Sequence, residues 1–269
     1  MDERERNRIE TIEQAEIEYA TDRMQAIRDR AGNPEGVEIA RIGGAVCLYS
    51  RTMPWPQFNA VRGLRSEAAD SLGQIVEYYR SRGRKPQFEF VPSLADRSVM
   101  KRLDELGFYQ SGFHASLFRS VEPLPADAQP DKPIVRELRE DEFETYAKIH
   151  CRAFGLPEDG IGPVAENNRV LYGRPGWTFY LALIDDRPAG VGVVFKRDEA
   201  ASLTFAATLP DYRGRGVHAA LLRKRIEDAL GGGCRWLYGQ CAFASGSHRN
   251  MARAGMGVGY VKALWTERD

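Results

Sequence analysis

One stretch of the chain has the residue types and spacing to do chemistry: Thr208-Leu209-Pro210-Asp211-Tyr212-Arg213-Gly214-Arg215-Gly216-Val217-His218. It follows an apolar, strand-like run and opens an amphipathic helix. At a helix start the first backbone N–H groups lack intrahelical partners and point the same way, with the positive end of the helix dipole behind them. Gly214 and Gly216 remove Cβ atoms, so backbone can come close to a ligand and take dihedrals closed to other residues. Arg213 and Arg215 add positive charge, with a solvated face as the plain alternative for either. A diphosphate suits this combination better than other common ligands. A P-loop would need a Lys followed by Ser or Thr after the glycines, and none is present. Gly214-x-Gly216-x-x-Ala219 is only a partial dinucleotide fingerprint, and it comes after three strand-like runs rather than the first. By itself a Gly-x-Gly also fits a tight turn.

The elements that must position this loop are legible in the second half. Residues 134–138 read as a strand, and 141–154 as a helix with Phe143, Tyr146, Ala147 and His150 on one side. Apolar runs at 178–184 and 189–195 flank Asp185-Asp186-Arg187-Pro188, a hairpin turn. A third strand, 203–208, leads into the loop. The helix at 217–230 places Val217, Ala220, Leu221, Leu222, Ile226, Ala229 and Leu230 at helical spacing, and Gly231-Gly232-Gly233 stops it. A strand at 235–243, a short helix at 247–254 ended by Gly255, and a strand at 258–265 complete a mixed α/β order with one strand–loop–helix crossover.

The first half echoes the back of that order: a helix with Leu72, Ile75, Val76 and Tyr79, a strand at 87–91, a helix with Val99, Leu103 and Leu106, then a strand through 118. The helix-ending glycines Gly83 and Gly107 stand 24 residues apart, as do Gly231 and Gly255, so the halves read as a duplication. Four prolines between 121 and 133 rule out an element interior there. The expected organisation is a domain at 1–121, an extended linker at 122–132 and a domain at 133–269. A charged helix at 9–30, with Ile9, Ile12, Ala20, Met24 and Ile27 on one side, reads as packed on its own domain, a homodimer contact being the alternative.

Arg213-Gly214-Arg215-Gly216-Val217-His218 resembles the signature of the GNAT superfamily of N-acetyltransferases: Gln or Arg, two residues, Gly, one residue, then Gly or Ala. His218 departs at the last position and leaves less room at the helix start. The resemblance covers the second half as a whole and the first half in outline. It implies two GNAT-like domains of α/β (α+β) class, each a mixed, mostly antiparallel sheet flanked by helices. It further implies that the loop, through Arg213, Gly214, Arg215, Gly216, Val217 and His218, binds the pyrophosphate of acetyl-CoA as cosubstrate. The preceding strand end, Ala206, Ala207, Thr208 and Leu209, would splay from its neighbour and pair with the pantetheine amides. Ser247 to Met256 resembles the second family signature, with Asn250 bonding the pantetheine arm and Met256 where Phe is commoner. For Asn250 the plain alternative is a solvated helix position.

By count from the helix-ending glycines, the first-half counterpart of the loop is Arg65-Ser66-Glu67-Ala68-Ala69-Asp70, without glycine and with two carboxylates where a diphosphate would sit. Like charges in a dry site oppose binding. The first half is therefore expected to be a degenerate domain without a cofactor loop.

Acetyl transfer to an amine needs a neutral amine, a donor for the developing oxyanion and a proton for the leaving thiolate. By resemblance the backbone N–H of Leu209 would serve the oxyanion. No carboxylate lies in the strand at 203–208, although Glu199 precedes it, so no base is readable. The family's Tyr acid position falls on Met251, leaving Tyr260, His248 and His218 as nearby candidates, against packing for the first and a solvated helix start for the histidines. The alternative to an enzyme is a non-catalytic acyl-CoA-binding or regulatory protein that kept the loop and lost the acid. The acceptor is an unidentified amine.

Composition narrows the rest. Lys plus Arg and Asp plus Glu both number 38, so no overall field recruits nucleic acid or an anionic membrane. The N-terminus has no signal-peptide pattern and no run is long and apolar enough to span a bilayer, from which a cytoplasmic protein is expected. Cys47, Cys151, Cys234 and Cys241 form no metal-ligand spacing and read as reduced, mostly buried thiols, so no metal is expected.

Overall fold

The structure is a computed structural model, and it describes residues 1–120, 122 and 133–268. All of the expected linker except Glu122 lies outside the described residues. In chain order the elements are α1 (Glu3–Arg28), β1 (Val37–Ile42), β2 (Ala45–Ser50), β3 (Ala60–Arg62), α2 (Leu72–Arg80), β4 (Gln87–Phe90), α3 (Arg97–Glu105) and β5 (Phe108–Ser120). After the undescribed segment come β6 (Ile134–Glu137), α4 (Phe143–Phe154), α5 (Ile161–Arg169), β7 (Trp177–Ile184), β8 (Arg187–Arg197) and β9 (Ala200–Thr208). The chain then forms α6 (Val217–Gly231), β10 (Trp236–Ala242), α7 (Gly246–Arg253) and β11 (Gly257–Glu267).

Two compact units result. The first is Met1–Ser116 with Cys241–Phe243 and Val258–Asp269, and the second is Leu117–Gln240 with Ala244–Gly257. This division departs from the expected cut near the proline-rich stretch. The last strand leaves the half in which it is encoded because it pairs antiparallel with β4, Ala263 opposite Phe90 and Leu264 opposite Glu89.

In the first unit β1, β2 and β3 pair antiparallel in series, and β3 runs parallel to β4 after the α2 crossover. Its core is built from the faces that helical spacing marks out, Leu72, Ile75, Val76 and Tyr79 of α2 with Val99 and Leu103 of α3, against Phe88 and Phe90. The Tyr79 hydroxyl donates to the carbonyls of Leu48 (2.6 Å) and Ala60 (3.2 Å), so its burial leaves no unmet donor. The buried face of α1 also carries charge. Lys262 Nζ lies 2.8 Å from Glu89 and 3.5 Å from Glu16, and Arg62 lies 3.2 Å from Glu89. Burial alone would raise the Glu89 pKa, but Arg62 and Lys262 outweigh it and hold the carboxyl at about 2.

The second unit repeats the pattern. The strands β7, β8 and β9 pair antiparallel in series, with β6 beside β7, and β9 runs parallel to β10 after the α6 crossover. Phe143 and Tyr146 of α4 pack on Phe179 of β7 at centroid distances of 5.1 and 5.4 Å. Both units are thus mixed α/β, each a mostly antiparallel sheet flanked by helices, as the fold class expected. No helix among the described residues is long and apolar enough to cross a membrane.

Candidate active site

The site begins where β9 ends. Its parallel pairing with β10 runs from Ala200 opposite Trp236 to Leu203 opposite Gly239 and goes no further, while its antiparallel pairing with β8 continues to Thr208 opposite Gly190. Beyond Leu203, then, the ladder with β8 goes on and the ladder with β10 does not. The Leu209 N–H donates to the Ala189 carbonyl at 3.0 Å, toward β8. Backbone groups alternate between edges along a strand, so Thr208 and Ala206 direct theirs to the open edge. This corrects the expectation for Leu209. Its N–H is spent on the sheet, and the open-edge donors are one and three residues earlier.

The loop follows as a short 3-10 turn, Pro210–Tyr212, and then Arg213 to Gly216. Gly214 and Gly216 have φ of +77° and +78°, where an L side chain is strained by roughly 1–2 kcal/mol. An added Cβ would meet nothing within 4 Å at Gly214, so backbone conformation rather than crowding calls for glycine there. No side chain caps α6, and the Gly216 carbonyl accepts from Ala220 at 2.9 Å. The N–H groups of the first turn are left for a ligand. Arg213 ties the loop to the end of α4 through the Ala153 carbonyl at 3.0 Å. Arg215 stays half-exposed, 3.9 Å from Asp185 of the β7–β8 hairpin.

Gly190 explains how α6 comes so near the sheet. A Cβ there would stand 2.5 Å from Val217 Cγ1 and 2.9 Å from the Ala207 carbonyl oxygen. The helix N-terminus is thereby seated directly on β8 and β9. Sequence reasoning had no reason to single out this glycine inside an apolar strand.

On the other side α7 presents Asn250. Arg253 donates to its Oδ1 at 2.8 Å, which turns the amide Nδ2 toward His218 Nδ1 at 3.1 Å. His218 Nδ1 therefore accepts and the ring proton sits on Nε2, an atom buried without a hydrogen-bond partner. Burial, with a smaller contribution from Arg225, lowers the His218 pKa to about 4. The imidazole is neutral at pH 7 with its acceptor nitrogen engaged, so it is equipped to donate and not to serve as a base.

These parts line one groove of about 1870 Å³. Ala206, Ala207, Thr208, Arg213, Gly214, Arg215, Gly216, Val217, His218 and Asn250 all face it, and Leu209 does not. The remaining candidates are not brought to it. Tyr260 belongs to the first unit, is buried, and has its pKa raised well above the usual value by burial first and by Glu16 second. His248 accepts from the Ala244 N–H at 2.8 Å through Nδ1 and so closes the start of its own helix. Met251 is buried against Gly239, with Cε 3.0 Å from where a Cβ would stand. Glu199 lies 3.3 Å from Arg235 and does not line the groove. Among the described residues no cluster of His, Cys, Asp or Glu could hold a metal ion, and Cys47, Cys151, Cys234 and Cys241 are unbridged.

A helix N-terminus with two left-handed glycines thus lies beside a strand edge that the ladder with β10 leaves open. In keeping with it, residues 135–256 match the model of the Acetyltransferase (GNAT) family, and that segment is a GNAT domain. Among solved structures the chain resembles a GCN5-related N-acetyltransferase from Kribbella flavida at 14% identity and TM-score 0.68, covering 92% of this chain and 95% of that one. A GCN5-related N-acetyltransferase from Sphaerobacter thermophilus gives 17% identity and TM-score 0.60, over 77% of this chain and 71% of that one. A tandem GNAT protein from the clavulanic acid biosynthesis pathway gives 15% identity and TM-score 0.55, with 78% and 74% covered. At these identities the likeness speaks for the fold. No curated protein matches by sequence. The GNAT fold is one that supports acyl transfer from acyl-CoA.

Proposed function

We propose that the second unit is an N-acetyltransferase that moves the acetyl group of acetyl-CoA to an amine by direct attack. The observation that carries this reading is the convergence on one groove of the α6 N-terminus, its two left-handed glycines and the unpaired edge of β9. In this reading the first-turn N–H groups and Arg215 hold the pyrophosphate, and the pantetheine arm runs along the open edge of β9. Attack on the thioester carbon places negative charge on its oxygen, and an open-edge N–H of β9 is the fixed donor that meets it. Collapse of the tetrahedral intermediate returns the C=O bond and expels the CoA thiolate, while the amine nitrogen loses a proton. Asp185, Asp186, Tyr212 and Glu227 also line the groove, and water at its open face is the carrier we assign to both proton transfers.

The first unit serves as a partner without its own cofactor. Where α6 begins with Gly216, the corresponding crossover passes through a 3-10 turn, Ser66–Ser71, that carries Glu67. A second reading, a non-catalytic acyl-CoA-binding protein, is favoured by the burial of Met251 in the position of the family's acid. Incubation with acetyl-CoA and a panel of amines, following free thiol, decides between them. Thiol release with at least one amine is expected, and tight binding without release from any would favour the second reading.

A further inference from the structure

The sheet face of α6 contains a residue that its apolar spacing hides. Arg225 is fully enclosed, and among the described residues no carboxylate is bonded to it. Its Nε donates to the Leu221 carbonyl one turn back at 2.9 Å, and its Nη1 reaches the carbonyls of Val193 (3.2 Å) and Thr204 (3.4 Å). Gly192 makes room, since a Cβ there would lie 3.2 Å from the guanidinium carbon. Enclosure costs the cation its hydration and lowers its pKa to about 10.

The two carbonyls mark the place where the β8–β9 ladder breaks. Val191 pairs with Ala207 and Val193 with Thr204, so β8 advances two residues while β9 advances three. The extra residue is a bulge. Phe205 sits in it at φ +47°, a conformation that bulky side chains rarely adopt without support. Register on the open edge depends on this bulge. With one residue fewer, the backbone groups of Ala206 and Thr208 would turn toward β8.

We propose that Arg225 is a positioning residue which holds the β9 bulge and thereby aims the backbone N–H groups of Ala206 and Thr208 at the acyl thioester. This rests on the acyl-CoA reading of the groove. A buried cation without a carboxylate is a costly way to fill a helix–sheet interface, and an aliphatic side chain of similar length would fill it without that cost. What the guanidinium adds is donors for the Val193 and Thr204 carbonyls, the pair that flanks the bulge.

Two measurements on Arg225→Met and Arg225→Lys test this. The first is amide hydrogen exchange in the ligand-free protein. Arg225→Met is expected to exchange at least tenfold faster across residues 202–208 with the rest of the second unit unchanged, and Arg225→Lys to lie between it and the wild type. The second is turnover of acetyl-CoA with whichever amine the wild type accepts. Because an oxyanion donor acts in the transition state, kcat of Arg225→Met should fall at least 30-fold while KM for acetyl-CoA stays within about threefold, with partial recovery in Arg225→Lys. Wild-type exchange in Arg225→Met overturns the pin, whatever the ligand. Faster exchange with unchanged kcat, or a change in KM alone, overturns its role in the reaction. A wild-type protein that neither binds nor turns over acetyl-CoA defeats the proposed function instead, and the pin then stands or falls on exchange.

Discussion

Gly216 offers the sharpest test of the groove, because strain and charge can be separated there. It sits at φ +78° immediately before α6, and the nearest atom to a Cβ would be Pro133 Cδ at 3.9 Å. Any L residue at this position therefore has space and incurs only the left-handed penalty, roughly 1–2 kcal/mol. For a unit of this size that is a fall in Tm of about 2–8 °C. Gly216→Glu adds a carboxylate within about 5 Å of a bound diphosphate carrying about two charges, a repulsion of about 1.7 kcal/mol even at the dielectric constant of water. Gly216→Lys carries the same strain with the sign reversed. Calorimetric titration with acetyl-CoA should show Gly216→Glu weakened at least tenfold and Gly216→Lys at least tenfold tighter than Gly216→Glu, the two melting within about 2 °C of each other. Equal affinities for the two folded variants would mean that no phosphate lies at the start of α6.

Three further outcomes are expected. Gly190→Ala should destabilise by about 1–3 kcal/mol in urea and weaken acetyl-CoA binding at least fivefold, because the new methyl meets Val217 and the Ala207 carbonyl and lifts α6 from the sheet. Glu89→Gln should cost about 3–5 kcal/mol by leaving Arg62 and Lys262 short of a counter-charge, and the double change with Lys262→Met should cost less than the sum of its parts, read by denaturant melts. For His218 the folded pKa of about 4 lies below the ordinary 6.5, so the unfolded chain binds the extra proton between those values. Wild-type stability should thus decline relative to His218→Gln as pH falls from 6.5 to 4, and parallel stability–pH profiles would refute it.

The glycine loop before α6 was legible because its signal is local. Glycines at two left-handed positions, a strand before and a helical apolar stripe after are all set within about twenty residues. The open-edge donor was misplaced on Leu209 because edge alternation can be counted only once the bulge at Phe205 is known, and a bulge leaves no mark in a run such as Leu-Thr-Phe-Ala-Ala. Arg225 escaped because a charged residue within a helical stripe reads as its boundary. The strands Val37–Ile42, Ala45–Ser50 and Ala60–Arg62 are short and follow no strict alternation, and Ile161–Arg169 has no continuous apolar side, so neither group announces itself. The departure of β11 from its own half is a choice of partner. Alternation within Val258 to Trp265 marks a strand and says nothing of which strand it joins.

That choice has a consequence for how the chain is made. Synthesis runs from the N-terminal to the C-terminal side, and domains ordinarily fold as they emerge, the N-terminal one first. Here the first unit includes residues 258–268, so its β4 edge waits unpaired while every residue of the second unit is being added. Glu89 waits with it, because one of its two buried cations, Lys262, is encoded after the second unit. Of the two units, the one whose translation begins first is the last to close. A ribosome halted between β4 and β11 would therefore hold out a half-built sheet with an exposed edge, a template for pairing with another chain.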